Sequence, residues 1–242
     1  MDDLPRVLGD LLARERRSDA PALLAPALGR AYDYHRLCTN AWKTGNFLRL
    51  LGVREGATVA VGDDPTPEAV LAFLGAGLLG AAVRFDPPRR VDDRALVTPL
   101  ARAAEHAVGP STKRVVYGDP PDDPRVSYFE RDVWSENPTE PPDAVSPDAA
   151  LLCGSGGEYS HREVLAAARR VADRLGLASD DRVAVRAPLA DPGTVVAGLV
   201  APLFVGAAVL FPDEATTGTA AVAEGKAPEG NAVAPADVFE FE

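Results

Sequence analysis

The chain has 242 residues, with 25 Lys and Arg against 36 Asp and Glu, and a formal net charge of −11. With 46% hydrophobic residues it can bury the core of one sizeable domain or two small ones, and it is not intrinsically disordered as a whole. The acidic balance excludes a protein built to neutralise nucleic-acid phosphates, because the one short basic run, Arg14, Arg16 and Arg17, is interrupted by Glu15.

Lysine occurs only at Lys43, Lys113 and Lys226. An acid-rich, lysine-poor surface suits high salt, where screening removes self-repulsion, so the composition points to a halophile's cytoplasmic protein; a high-GC genome also swaps Lys for Arg but does not by itself explain the acid excess. Cys38 and Cys153 form no C-x-x-C pair, and neither a disulfide framework nor a zinc site is expected. The start, Met1-Asp2-Asp3-Leu4-Pro5, lacks the basic and apolar regions of a signal peptide. Residues 194–211 are uncharged, but Gly198, Pro202 and Gly206 interrupt them. A buried helix and strand is therefore expected there, not a membrane span.

In chain order, Leu37, Ala41, Leu48 and Leu51 make a helical stripe that stops at Gly52. Val59-Ala60-Val61 follows as a strand. Thr66-Pro67 then places a capping residue before a proline at the first helical position, and an apolar strand runs to Phe85. Residues 94–108 are expected as a helix, residues 115–117 as a strand, and the Pro-, Asp- and Glu-rich residues 118–147 as a surface linker. Ser160 and Glu163 spell a capping box. Val164, Leu165, Ala168, Val171 and Leu175 follow at helical spacing before Gly176. Val183-Ala184-Val185 reads as a strand and Asp191-Pro192 as another helix start. Residues 214–242 lack periodicity and are expected to be a disordered tail.

Several of these pieces recur. Gly80-Ala81-Ala82-Val83-Arg84-Phe85 is answered by Gly206-Ala207-Ala208-Val209-Leu210-Phe211, and Tyr34-His35-Arg36 by Ser160-His161-Arg162. Leu51-Gly52-Val53 is answered by Leu175-Gly176-Leu177, and Val59-Ala60-Val61 by Val183-Ala184-Val185. Four matches in order predict an α/β fold of two related βαβ-type units, with mainly parallel sheet covered by helices. The expected divisions are a first unit at 1–117, the linker at 118–147, a second unit at 148–213 and the tail.

Tyr34-x-x-Leu37, Leu51-Gly52-Val53-x-x-Gly56, Val59-Ala60-Val61 and the run from Pro67 to Asp86-Pro87 together resemble the opening of the adenylate-forming superfamily, which includes acyl-CoA synthetases. Ser146-Pro147-Asp148-Ala149-Ala150-Leu151-Leu152 resembles the approach to that family's phosphate loop. The family loop reads Thr-Ser-Gly-Ser/Thr-Thr-Gly-x-Pro-Lys-Gly and is followed by Ser/Thr-His. Here Gly154, Ser155 and Gly156 match its first three positions, Gly157 its last glycine and His161 the following histidine, while the hydroxyl- and lysine-bearing centre is missing. Such a loop works through glycine backbone N–H groups and hydroxyls that approach phosphates. Its shortening, with Glu158 added, implies weakened phosphate binding.

The resemblance implies ATP or AMP, Mg²⁺ and CoA as ligands. The family's downstream adenine, ribose and catalytic-lysine segments have no counterpart in these residues. Gly154 to Gly157 also read as a plain turn needing no ligand, and the free N–H groups at the helix start near His161 as a generic anion attractor. Ser155 lacks the Gly-x-Ser-x-Gly spacing of a hydrolase elbow. His35 and His161 are repeat counterparts, which argues for structural roles, and His106 has no visible partner. Asp63-Asp64 and Asp122-Asp123 read as solvated surface, and no metal site or catalytic residue is assigned. The expectation is a catalytically inactive acyl-CoA synthetase-like scaffold, with a split-ligase half and an interaction module as alternatives. A homodimer or a ligase partner chain is expected, and nucleic acid and membrane are not.

Overall fold

The computed structural model describes residues 4–154 and 156–240. The first half runs β1 (Pro21–Ala25), β2 (Arg30–Asp33), α1 (Tyr34–Leu50), β3 (Thr58–Val61), α2 (Pro67–Gly77) and β4 (Ala82–Phe85). It continues with β5 (Arg90–Val91), β6 (Ala95–Pro99), β7 (Ala107–Val108), β8 (Lys113–Tyr117), β9 (Ser127–Tyr128) and α3 (Phe129–Asp132). The second half runs β10 (Ala150–Gly154), β11 (Gly157–Ser160), α4 (His161–Leu175) and β12 (Arg182–Val185). It closes with α5 (Pro192–Val195), α6 (Ala201–Val205), β13 (Ala208–Leu210), β14 (Ala220–Val222) and β15 (Ala232–Val233).

The helix ends follow the sequence signals. Asp33 and Thr66 cap α1 and α2 through their side chains, and Asp191 caps α5. Ser160 and Glu163 form the capping box of α4, which ends on Gly176 in the left-handed conformation. Every residue of α2 is buried. It crosses α1 closely, since a Cβ on Gly75 would lie 2.8 Å from the Gly45 nitrogen. Between α5 and α6, Val196–Val200 forms a π-helical turn. Pro202 has no N–H to offer the carbonyl four residues back, so the helix widens before it. Among the described residues no helix is long and apolar enough to cross a membrane.

One sheet has the order β15-β14-β12-β13-β1-β2, and a second β11-β10-β4-β3-β6-β8-β9. Both are mostly parallel; β1–β2 and β10–β11 are antiparallel hairpins. The two halves repeat the series hairpin, helix, strand, helix, strand, but each hairpin joins the other half's sheet. Leu23 of β1 lies beside Val209 of β13, and Leu152 of β10 beside Val83 of β4. The chain therefore does not divide into self-contained units at 1–117 and 148–213: each sheet takes strands from both.

Three further expectations are corrected. Residues 94–108 are β6, a 3-10 turn at Leu100–Glu105 and β7, not one helix, because Pro99 interrupts a helix and the buried Ala95-Leu96-Val97 run suits a central strand. Residues 118–147 carry β9 and α3 and bury Phe129 and Val133. The stretch expected as a disordered tail adds β14 and β15 to the first sheet and buries Ala220, Ala221, Val222, Val233 and Val238. Strands of two or three residues are too short to show a period in the sequence.

Candidate functional site

The residues matched to the phosphate loop sit at the turn between β10 and β11. Gly154 pairs with Gly157 across this hairpin, so the turn spans only two residues. Ser155 lies outside the described residues. Gly157 has φ +118°, a conformation open to glycine alone. A Cβ on Gly154 would lie 2.3 Å from Cγ of Pro192, and one on Gly156 2.5 Å from the Tyr159 hydroxyl oxygen. Each described glycine here is accounted for by local packing or backbone geometry.

Residues that sequence reasoning missed surround the turn. Tyr159 stacks on Phe239 with ring centroids 4.1 Å apart and planes 15° apart. A Cβ on Gly193, at the start of α5, would lie 2.1 Å from the Pro235 carbonyl oxygen, so the 3-10 turn at Pro235–Asp237 rests on that helix start. In the sequence the contact is signalled only by the apolar/acidic alternation Val238-Phe239-Glu240-Phe241-Glu242, which reads as a short strand. Cys153 lies 3.8 Å from Glu158. Burial and that carboxylate raise its thiol pKa, the opposite of nucleophile activation.

His161 does not face the turn's solvent side. It is fully buried, and its Nδ1 accepts a hydrogen bond from the Leu8 N–H at 3.0 Å. The neutral ring then carries its proton on Nε2, which has no hydrogen-bond partner among the described residues. Burial lowers its pKa to about 4. The N–H groups opening α4 are also taken: His161 donates to the Ala149 carbonyl at 3.0 Å and Arg162 to that of Pro147 at 2.9 Å. Glu163 donates to the Ser160 hydroxyl at 3.3 Å. The free anion-attracting helix start expected from the sequence is thus occupied by the chain itself.

In parallel α/β sheets, ligands favour the crevice at the carboxyl ends of strands where strand order reverses. Here that point lies between β3 and β6 in one sheet and between β12 and β14 in the other. Both mouths hold internal ion pairs. After β3, Asp63 and Asp64 receive Arg102 Nη1 at 3.0 and 3.3 Å, and Asp64 also accepts from the Tyr117 hydroxyl at 3.3 Å. This pairing corrects the solvated-surface expectation for Asp63-Asp64, whereas Asp123 pairs with the exposed Arg125 at 2.8 Å. After β12, Arg186 meets the fully buried Glu229 carboxylate at 2.7 Å. Arg186 holds Glu229 below the usual carboxylate range against the opposing cost of burial.

His35 faces the exposed Asp19 at 3.8 Å, and His106 Nδ1 lies 2.9 Å from the Pro88 carbonyl oxygen. Among the described residues no group of three or more His, Cys, Asp or Glu is arranged to hold a metal ion.

A family model described as AMP-binding enzyme matches residues 12–226. No curated protein sequence matches the chain. Among solved structures, the anthranilate CoA ligase AuaEII in complex with anthranoyl-AMP superposes with a TM-score of 0.75 at 21% identity, over 91% of this chain and 50% of that one. A Mycobacterium tuberculosis fatty acyl-CoA synthetase gives 0.71 at 18% identity, over 86% and 45%. The N-terminal domain of FACL13 from the same organism gives 0.66 at 17% identity, over 86% and 57%. At these identities the likeness is one of fold, and this chain spans about half the length of the structures it matches.

Proposed function

The chain belongs to the AMP-binding enzyme family, and from that membership we propose that it is a scaffold of the family that does not form an adenylate by itself. The observation that carries this reading is the two-residue turn between Gly154 and Gly157. Its described glycines are explained by Pro192, by Tyr159 and by a positive φ without any ligand, and a two-residue turn is too short for the hydroxyl- and lysine-bearing centre of the family loop. Glu158 is exposed beside the turn and adds negative charge where a nucleotide would bring more. The residues present do not fit a nucleoside triphosphate. AMP, which carries a single phosphate, and CoA are the ligands for which residual binding is proposed.

The test is ATP–pyrophosphate exchange by the purified chain with a panel of acyl and aryl acids. A parallel thermal-shift series uses ATP·Mg, AMP, CoA and acyl-CoA in molar KCl. No exchange and no shift with ATP·Mg are expected, while exchange above background overturns the reading. A second reading is half of a split ligase; this chain spans 50% of the ligase structure. It requires a separate chain that restores exchange when mixed with this one.

A further inference from the structure

The outer face of α4 borders a groove unrelated to the glycine turn. Arg162, Ala166, Arg169, Arg170 and Asp173 recur on that face at helical spacing, opposite the buried Val164, Ala168 and Val171. Together with Leu4, Arg6 and Phe204 they line a cavity of about 560 Å³, within the size range of sites for small organic ligands. A neighbouring cavity of about 670 Å³ shares Leu4, Pro5, Arg6 and Phe204 and adds Arg16 together with Asp10 and Glu15, so the excess of positive charge is confined to the first.

The charge of the first cavity opposes that of the molecule. Four arginines face one aspartate there, in a chain of net charge −11. Their internal compensation is incomplete. Arg169 reaches Asp173 only at 3.9 Å. Arg170 Nε is shut off from solvent with no hydrogen-bond partner among the described residues, which is a standing cost. Arg162 pairs with Asp148, a residue outside the lining. Leu4, Leu165 and Phe204 give the groove apolar walls, and Leu4 is 55% exposed.

We propose that this groove binds a small anionic amphiphile, an unbranched alkyl chain with a carboxylate or phosphate monoester head. The head lies against Arg169 and Arg170, where planar guanidinium groups match a two-oxygen anion, and the chain lies over Leu165 and Phe204. The proposal does not depend on the fate of the phosphate loop, since none of these residues touches it.

Isothermal titration with monomeric decanoate and decyl phosphate, each below its micelle concentration, tests it. Both are expected to bind at one site, with neutral 1-decanol at least tenfold weaker. The double variant Arg169→Gln/Arg170→Gln should weaken decanoate at least tenfold with its far-UV circular dichroism unchanged, while Arg90→Gln, on a remote surface, leaves it intact. No saturable binding, or equal affinity for decanol and decanoate, overturns the proposal, and the wild-type comparison alone decides it if the double variant fails to fold. Binding to anionic phospholipid vesicles without binding of monomeric decanoate also overturns it, in favour of a lipid surface.

Discussion

His161 makes the stability of this fold sensitive to acid in a way that can be calculated. Its ring is fully buried and accepts from Leu8, and burial lowers its pKa from 6.5 to about 4. Between those two values the unfolded chain takes up a proton that the folded chain refuses. The contribution is therefore fully present above pH 6.5 and is lost as pH falls toward 4. At about 1.4 kcal/mol per pKa unit the loss amounts to roughly 3 kcal/mol, a large share of a domain's typical net stability of about 5–15 kcal/mol. His161→Gln keeps an acceptor for the Leu8 N–H but cannot titrate. Unfolding free energies from urea titrations at pH 7, 5.5 and 4.5 should fall more steeply for the wild type, and the two curves should converge at low pH. Parallel curves, or an NMR titration that places the His161 pKa near 6.5, refute the reasoning.

Three further perturbations probe the turn and its cover. Gly154→Ala drives a methyl into Pro192 and should cost about 1–3 kcal/mol in a urea melt; an unchanged midpoint means the contact is loose. Gly193→Ala places a methyl against the Pro235 backbone oxygen, so limited proteolysis read by mass spectrometry should show faster cleavage within residues 235–240. Glu229→Leu strips Arg186, itself partly exposed, of its carboxylate partner and should lower stability by about 1–3 kcal/mol. That effect should persist in molar KCl, because a buried pair is poorly screened, and a loss that vanishes with salt contradicts the burial.

Much of the local architecture was legible because its signals are local. Thr66, Ser160 with Glu163, Gly176 and Asp191 act on backbone groups a few residues away, and each stands where its chemistry requires. The internal repeat was legible for the same reason. The hairpin exchange was not: nothing in Ala22-Leu23-Leu24 distinguishes β13 from β4 as a neighbour. At the candidate site the glycines were readable as a shortened loop. Whether they served a ligand or a neighbour depended on Pro192, Tyr159 and Phe239, which reach the turn from separate segments. The same holds for His161, whose burial depends on Leu8.

The crossed hairpins also govern the order in which the protein can be made. During synthesis β1 emerges with β2, but its parallel neighbour β13 emerges only after β3 to β12. Until then Leu23 and Leu24 present an unpaired, apolar edge, the kind of surface that chaperones shield and that pairs with other nascent copies. The sheet containing β3 and β4 can close sooner, once Leu152 arrives beside Val83. The two sheets are thus completed at different moments of translation, and the one that pairs β1 with β13 closes after the one that pairs β4 with β10.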